Sequence, residues 1–272
     1  MPPLHDKVAL VTGTSAPNGI GQAIARRLAE DGAHVVVTDL GGTTQVDGVA
    51  TPRLSLLRTL AAALDPAGTA LELDVTDAAQ IDAVVAQVQR RLGRVDILVN
   101  NAGSLAGADN FMSTTPAQWT SSFNVNLLAP MMLSRAVIPS MQAAGGGRII
   151  NIGSTGSLGA EPGFGAYTAM KHGLVGLTKT IAAEFGPDNI LCNIVCPGYI
   201  ATDMHMAANT RIAGERGLSL DEVKAQRYAS VALRDAGRPA DVADAVAYLA
   251  GPHARYVTGI TLPVSGGVPY GI

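Results

Sequence analysis

Val8-Ala-Leu-Val-Thr-Gly13-Thr-Ser-Ala-Pro-Asn-Gly19-Ile-Gly21 reads as a short apolar strand, a glycine-rich turn and the opening of a helix. Glycines let the backbone turn sharply and approach a neighbouring group closely. The strand is Val8–Val11. The helix, Gly21–Asp31, carries Ile24 and Leu28 one turn apart, and a second β-branched strand, His34–Asp39, follows it. Strand, helix and strand in so short a span form a βαβ unit, whose two strands run parallel.

The alternation continues along the chain. Further strands are predicted at Ala70–Val75, Ile97–Asn100, Arg148–Gly153, Ile190–Val195 and Ile260–Val264. They are mostly apolar without strict alternation, as parallel strands covered on both faces must be. Ala78–Leu92 carries the stripe Ile81, Val84, Val85, Val88 and Leu92, with Asp77 or Thr76 as its cap. Pro116–Val137 reads as one long helix that has to accommodate Pro130, and Tyr167–Phe185 as the next. Ser219-Leu-Asp-Glu222 is a capping box opening a helix to about Ala229, and Pro239–Ala250 starts with proline in its first turn. The expectation is a single α/β domain over residues 1–272, built on one doubly wound parallel sheet. Gly41–Pro52 and Asp203–Gly237 read as insertions. The second follows the C-terminal end of a strand, where such sheets bind ligands, and residues 203–237 are expected to form a mobile lid.

Of the 272 residues 47% are hydrophobic and 15% charged, with a net charge of −3. That supplies a sizeable core and excludes whole-chain disorder. It also argues against nucleic acid as a partner, since such binders carry a basic surplus. No apolar stretch approaches the ~20 residues a membrane helix needs. The opening Met-Pro-Pro-Leu-His-Asp-Lys lacks the charged-then-apolar layout of a secretory signal, so the expected location is cytoplasmic. Cys192 and Cys196 fall in one strand, roughly 13 Å apart at ~3.3 Å per residue. That is too far for a disulfide, and both are expected as small buried apolar residues, with no metal site.

The turn Gly13–Gly21 brings a helix N-terminus, with its free N–H groups and positive dipole end, to where a pyrophosphate would lie. Asp39 closes the second strand. A carboxylate there accepts from both hydroxyls of an adenosine ribose and repels a 2′-phosphate, and neither Asn18 nor Leu40 beside it is basic. NAD(H) is therefore expected over NADP(H). Asp74-Val75 and Asn100-Asn101-Ala102-Gly103 end the next two strands, where adenine and its ribose would be gripped.

At the other end, Tyr167-Thr-Ala-Met-Lys171 places a phenol and an ammonium on one helix face. Ser154, thirteen residues earlier at the end of the fifth strand, can return to the same pocket. A free phenol has a pKa of ~10, too high for a good base at neutral pH, and a nearby ammonium and a nicotinamide cation both favour the phenolate. Ser154 can hold a substrate oxygen while Tyr167 exchanges its proton.

These stretches together resemble the short-chain dehydrogenase/reductase family over essentially the whole chain. The matching pieces are Thr12–Gly21, Asp74, Asn100–Gly103, Asn126 in Asn-Val-Asn-Leu, Ser154, Tyr167-x-x-x-Lys171, Pro197-Gly-Tyr-Ile-Ala-Thr202, Gly237-Arg-Pro-Ala-Asp-Val and Val257-Thr-Gly-Ile with Ser265-Gly-Gly. The resemblance implies a Rossmann-like sheet of about seven strands with helices on both faces. It implies a catalytic set of Asn126, Ser154, Tyr167 and Lys171, with Asn126 anchoring a water that links Lys171 to solvent. The cofactor set it implies comprises Gly13, Ser15, Asn18, Gly19, Ile20, Asp39, Leu40, Asp74, Val75, Asn101, Ala102 and Gly103. Tyr167 and Lys171 complete it with Pro197, Gly198, Ile200 and Thr202 around the nicotinamide. Five residues rather than three separate Gly13 from Gly19, Gly153 stands where relatives often have serine, and Ser265 where they often have aspartate.

The reading that follows is an NAD(H)-dependent oxidoreductase acting on a secondary alcohol or ketone. A 3-oxoacyl-thioester reductase using NADP(H) and a non-catalytic NAD-binding regulator are the alternatives. An enoyl reductase fits less well, because its tyrosine and lysine are spaced more widely. The substrate pocket is expected from Ser104, Leu105, Thr155, Leu158, Phe164, Tyr199 and Met204–Met206, with His205 solvated. The resemblance also implies a homotetramer, with the helices Pro116–Val137 and Tyr167–Phe185 as subunit faces.

Overall fold

The computed structural model describes residues 1–160 and 162–269, apart from the side chain of Met204. In chain order the elements are β1 (Val8–Thr12), α1 (Ile20–Glu30), β2 (His34–Asp39), β3 (Thr43–Val46), β4 (Val49–Pro52), α2 (Arg53–Ala62), β5 (Thr69–Glu72), α3 (Ala78–Leu92) and β6 (Ile97–Asn100). Then come α4 (Pro116–Phe123), α5 (Ala129–Ala143), β7 (Gly147–Ile152), α6 (Gly165–Phe185), β8 (Ile190–Pro197), α7 (Asp203–Arg216), α8 (Leu220–Tyr228), α9 (Pro239–Ala250) and β9 (Thr261–Val264). Seven strands form one parallel sheet in the order β5-β2-β1-β6-β7-β8-β9. The order reverses between β1 and β6, and that switch point is where such sheets leave a crevice beyond their C-terminal ends.

Both faces are covered. Ile24 and Leu28 of α1, Leu57 and Leu60 of α2, and Val242 and Val246 of α9 pack with Ala9, Val11, Val35 and Val37 on one side. Ile81, Val85 and Val88 of α3, Leu133, Val137 and Met141 of α5, and Ile181 of α6 pack with Leu10, Leu98 and Ile149 on the other. All five residues of β1 and all eight of β8 are buried, which is why these strands read as mostly apolar runs. Cys192 and Cys196 are free buried thiols, and burial pushes Cys192 up to about 12. Among the described residues no helix is long and apolar enough to cross a membrane.

Several expectations are corrected. The strand expected at Ala70–Val75 ends at Glu72, so Asp74 and Val75 lie in the turn beyond it. The insertion Gly41–Pro52 is an antiparallel hairpin. Its two-residue turn, Asp47-Gly48, has positive φ at both positions, +48° and +78°, the conformation for which Asp-Gly is suited. The helix α2 was not expected, although Leu57, Leu60 and Ala61 form a buried i, i+3, i+4 set. The long helix expected at Pro116–Val137 runs on to Ala143 and is broken by a π-helical turn at Asn124–Leu128. That wide turn just precedes Pro130, whose ring and missing N–H a regular turn would not accept. Within 203–237 the chain forms two helices, α7 as well as the expected α8. Thr202 caps α7 by accepting from the His205 N–H, and the Ser219–Glu222 capping box opens α8.

Candidate active site

The glycine turn is shaped by close backbone contact. Gly13 has φ +71°, and a Cβ on it would stand 2.8 Å from the Ala102 Cα. A Cβ on Gly21 would meet the Asn101 side-chain nitrogen at 2.6 Å. Asn101 Nδ2 donates to the carbonyls of Thr12 and Gly13 at 2.8 and 2.9 Å, while Thr12 Oγ1 accepts from the amides of Asn101 and Ala102. The ends of β1 and β6 are thus locked together on either side of the crevice. The helix α1 begins after Gly19 with no side-chain cap and no acidic residue in its first turn, which leaves its amides for an anion. A cradle that no side chain could enter, ending at uncapped amides, fits a pyrophosphate.

Asp39 lies at the end of β2, partly buried. Its carboxylate accepts from the amides of Ser15 and Leu40, both at 2.8 Å. Glu72, its register partner on β5, reaches to within 3.5 Å of where a Gly41 Cβ would be, so two carboxylates flank this end. Sequence reasoning missed Glu72. Leu40 is 43% exposed and Val75 buried. Asp74 is engaged in its own turn, accepting from the Thr76 amide and hydroxyl at 2.8 and 2.7 Å. Asn18 is exposed and donates through Nδ2 to Asp203 at 2.9 Å, bridging the lengthened glycine turn to the first residue of α7.

Ser154 follows β7, and Tyr167 sits in the first turn of α6, both lining one cavity, with the Ser154 side chain near enough to the phenol to pull its pKa down. Ser154 is itself held: its Oγ accepts from the Gly156 amide at 3.1 Å and its amide donates to Ser157 Oγ at 3.2 Å. A Cβ on Gly153 would meet Cys196 Sγ and Ser157 Oγ at 2.8 Å each, which accounts for glycine at that position. Lys171, one turn after Tyr167, is 3% exposed, and its Nζ donates to the Ile152 carbonyl at 2.8 Å. That Nζ lies 5.6 Å from the centre of the Tyr167 ring. Asn126 lies in the π-helical turn, buried. Its Oδ1 accepts from the Ser104 amide at 3.1 Å, and its Nδ2 donates to the Ser104 carbonyl at 2.9 Å. Gly103 separates the two groups: a Cβ there would stand 3.4 Å from Asn126 Oδ1 and 3.8 Å from Lys171 Nζ.

Burial raises the Tyr167 phenol above its ordinary value, partly offset by the Ser154 hydrogen bond. Burial likewise lowers Lys171 to about 8. The expectation has the Lys171 ammonium and a nicotinamide cation acting together on the phenol; the ammonium alone does not outweigh burial here. That ammonium is turned onto a backbone carbonyl, and desolvation of the phenol dominates.

Beyond β8, a Cβ on Gly198 would touch Ser265 at 2.9 Å, Ile200 is buried and bridges to Gly237, and Thr202 caps α7. A cavity of about 250 Å³ opens from Ser154 and Tyr167 and is walled by Thr155, Phe164, Tyr199 and Val268 among others. Ser104, Leu105, Leu158 and Met206, expected in the wall, are not part of it. Ser104 is bound to Asn126, Leu105 is exposed, and Leu158 packs with Ile194 and Cys196. The Met204 side chain lies outside the described residues. His205 is not solvated: it stacks on Tyr228 at 5.9 Å, its Nε2 is 2.8 Å from the Tyr228 hydroxyl, and burial with the Arg227 charge lowers it to about 4. Tyr228, Asn209 and Arg227 were missed. The spacing of His205 and Asn209, four residues on one helix, was the available signal.

A family model described as Enoyl-(Acyl carrier protein) reductase matches residues 13–269. Human "Dehydrogenase/reductase SDR family member 4" is 36% identical over 268 residues, 98% of this chain and 89% of the relative. The Escherichia coli "3-oxoacyl-[acyl-carrier-protein] reductase FabG" is 38% identical over 262 residues, 96% of this chain and 97% of the relative. Among solved structures, levodione reductase superposes with a TM-score of 0.85 at 28% identity, over 97% of this chain and 98% of that one. The Thermoplasma acidophilum aldohexose dehydrogenase does so with 0.81 at 30% identity, over 97% and 94%. Sheet order, glycine cradle and the Ser154–Tyr167–Lys171 grouping agree with what these likenesses say: the chain belongs to the short-chain dehydrogenase/reductase family of nicotinamide-dependent oxidoreductases acting on CH–OH or carbonyl groups.

Proposed function

We propose that the chain is an NAD(H)-dependent oxidoreductase interconverting a secondary alcohol and its ketone, with Tyr167 as general acid and base. The observation that carries this is that Tyr167 and Ser154 line one cavity together, with Lys171 one turn away. The nicotinamide, when bound, supplies or takes up the hydride. Ser154 Oγ donates to the substrate oxygen and holds it beside the phenol. Tyr167 gives its proton to that oxygen as a ketone is reduced and takes the alcohol proton in the reverse direction. A phenol kept protonated by burial suits the first of these. Lys171 binds the nicotinamide ribose hydroxyls, and Asn126 holds the water through which Lys171 reaches solvent.

On the cofactor side, Gly13, Ser15, Asn18, Gly19 and Ile20 form the pyrophosphate turn. Leu40, Asp74, Val75, Asn101, Ala102 and Gly103 surround the adenosine, and Pro197, Gly198, Ile200 and Thr202 the nicotinamide. Asp39 accepts from the ribose hydroxyls. With Glu72 beside it, the charge at this end favours NAD(H) over NADP(H).

A second reading, a 3-oxoacyl-thioester reductase using NADPH, draws on the likeness to FabG. It also draws on Arg53, whose guanidinium donates to the Gly41 carbonyl at the same end. The test is a cofactor-linked absorbance screen with NADH and NADPH in parallel, across cyclic and aliphatic ketones and an acetoacetyl thioester. The first reading expects ketone reduction with NADH. Turnover of the thioester alone, with NADPH alone, would establish the second, and binding of NAD without any turnover would leave a regulatory binder. The same reading includes a cytoplasmic homotetramer. Phe111, Met112 and Phe123, large and exposed on or near α4, form the face a second subunit would cover, and a light-scattering mass near 27.8 kDa would remove that part.

A further inference from the structure

Tyr199 stands where β8 gives way to the two helices beyond it, and its ring forms part of the cavity wall. Among its neighbours are three side chains of α7 and α8. The Arg227 guanidinium carbon lies 5.2 Å from the ring centre, and the rings of His205 and Tyr228 lie at 5.6 and 5.7 Å. These groups are joined in one donor order. Arg227 Nη1 donates to Asn209 Oδ1, Asn209 Nδ2 donates to the Tyr228 hydroxyl at 3.2 Å, and that hydroxyl lies 2.8 Å from His205 Nε2, to which it can donate when the imidazole carries its proton on Nδ1. The order is self-consistent with a neutral imidazole, and Asn209 and Tyr228 are 0% and 5% exposed. A buried chain with every member bonded holds one arrangement, so the Tyr199 ring is fixed from behind.

Among the described residues that line the cavity none is charged. An anionic substrate would meet hydroxyl groups there but no cation to offset the hydration it gives up. Yet a cation is close by: Arg227 packs on the Tyr199 ring and is not part of the wall. We propose that Tyr199 is the specificity-determining residue of this site, its ring held against Arg227 so that the cavity takes compact uncharged carbonyl compounds and turns carboxylates away. The proposal rests on the oxidoreductase reading above.

The test compares the methyl ester of para-carboxycyclohexanone with the free acid, in NADH-linked reduction, for the wild type, Tyr199→Ala, Tyr199→Phe, Tyr199→Leu and Tyr199→Ala with Arg227→Gln. The wild type is expected to favour the ester in kcat/KM by roughly ten-fold or more, the scale of one unpaired charge. Tyr199→Ala uncovers the guanidinium and should shift that ratio toward the acid by about ten-fold, mainly in KM. Adding Arg227→Gln should abolish the shift, Tyr199→Phe should keep the wild-type ratio, and Tyr199→Leu, which retains bulk, should fall between. Equal use of acid and ester by the wild type would overturn the proposal. So would an unchanged ratio in both Tyr199→Ala and Tyr199→Leu. Reduction of an acetoacetyl thioester but of neither cyclohexanone would refute the substrate class and leave the oxidoreductase reading standing. NADH binding with no carbonyl reduced would remove both.

Discussion

Replacing Asp39 separates its structural from its recognition role, because the two have different magnitudes. Its carboxylate accepts from two amides, of Ser15 and Leu40, each at 2.8 Å. Bonds to a charged acceptor contribute ~1.5–3 kcal/mol when buried, but Leu40 is 43% exposed and the released amides can take up water. About 1 kcal/mol each is the reasonable figure, or ~2 kcal/mol in all, which lowers Tm by about 4–8 °C in a chain of this size. Recognition adds to this. Two unit charges about 4 Å apart interact by ~1 kcal/mol in water and ~4 kcal/mol at an effective dielectric of 20, so the carboxylate penalises a 2′-phosphate by roughly five- to a thousand-fold. Asp39→Ala also loses the acceptor for the ribose hydroxyls, worth ~1 kcal/mol or more. The ratio of kcat/KM for NADH over NADPH should therefore fall by about thirty-fold or more. Asp39→Asn keeps one acceptor without the charge and should fall between. The assay is steady-state kinetics with both cofactors, with calorimetric Kd values for each and Tm for every variant. A Tm that falls while the cofactor ratio stays fixed would reduce Asp39 to a clamp on the glycine turn and refute the argument for NAD(H).

Other expected outcomes follow from the geometry. Gly21→Ala drives a Cβ to 2.6 Å from Asn101 Nδ2, and overpacking of this kind costs ~1–3 kcal/mol, read as a fall in Tm with weaker NAD binding. An unchanged Tm would show that the cradle has room. Ser157→Ala removes the acceptor for the Ser154 amide, so kcat should drop about ten-fold with KM little changed, since an unmet buried donor costs ~1–3 kcal/mol. A change confined to KM would contradict a positioning role. His205 titrates at about 4 when folded, against an ordinary value of 6.5. The unfolded chain therefore binds the extra proton as pH falls through that window, and stability is lost toward acid. His205→Gln should flatten the fall in Tm between about pH 6.5 and 4. An equal slope in variant and wild type would assign the loss to other groups, such as the half-buried His34.

How much was legible depended on whether a residue's partners were near in sequence or far. The sheet could be read because β1, β6 and β8 are buried on both faces and so are written as apolar runs. The glycine turn, Tyr167 and Lys171 could be read because their spacing alone fixes their relation. The hairpin at Asp47-Gly48 and the stripe of α2 were legible and went unread. The helix α7 was harder: Asn209, buried on it, is polar, so no hydrophobic stripe marks that position. The chain from Arg227 to His205 joins residues about twenty apart on two helices, and no local pattern encodes such a contact. The burial of Tyr167 was not legible, because sequence shows the neighbouring lysine but not where its ammonium points, or how deeply the phenol is buried.

The central claim is that the Tyr167 hydroxyl moves the proton. Single-turnover reduction of a ketone by the Tyr167→Phe variant tests it most directly, since only one oxygen is removed and the ring remains. The account predicts a loss of about 100-fold or more in the chemical step, the usual worth of a positioned acid, with the Kd for NADH and the Tm unchanged. A variant that reduced the ketone at the wild-type rate would contradict it.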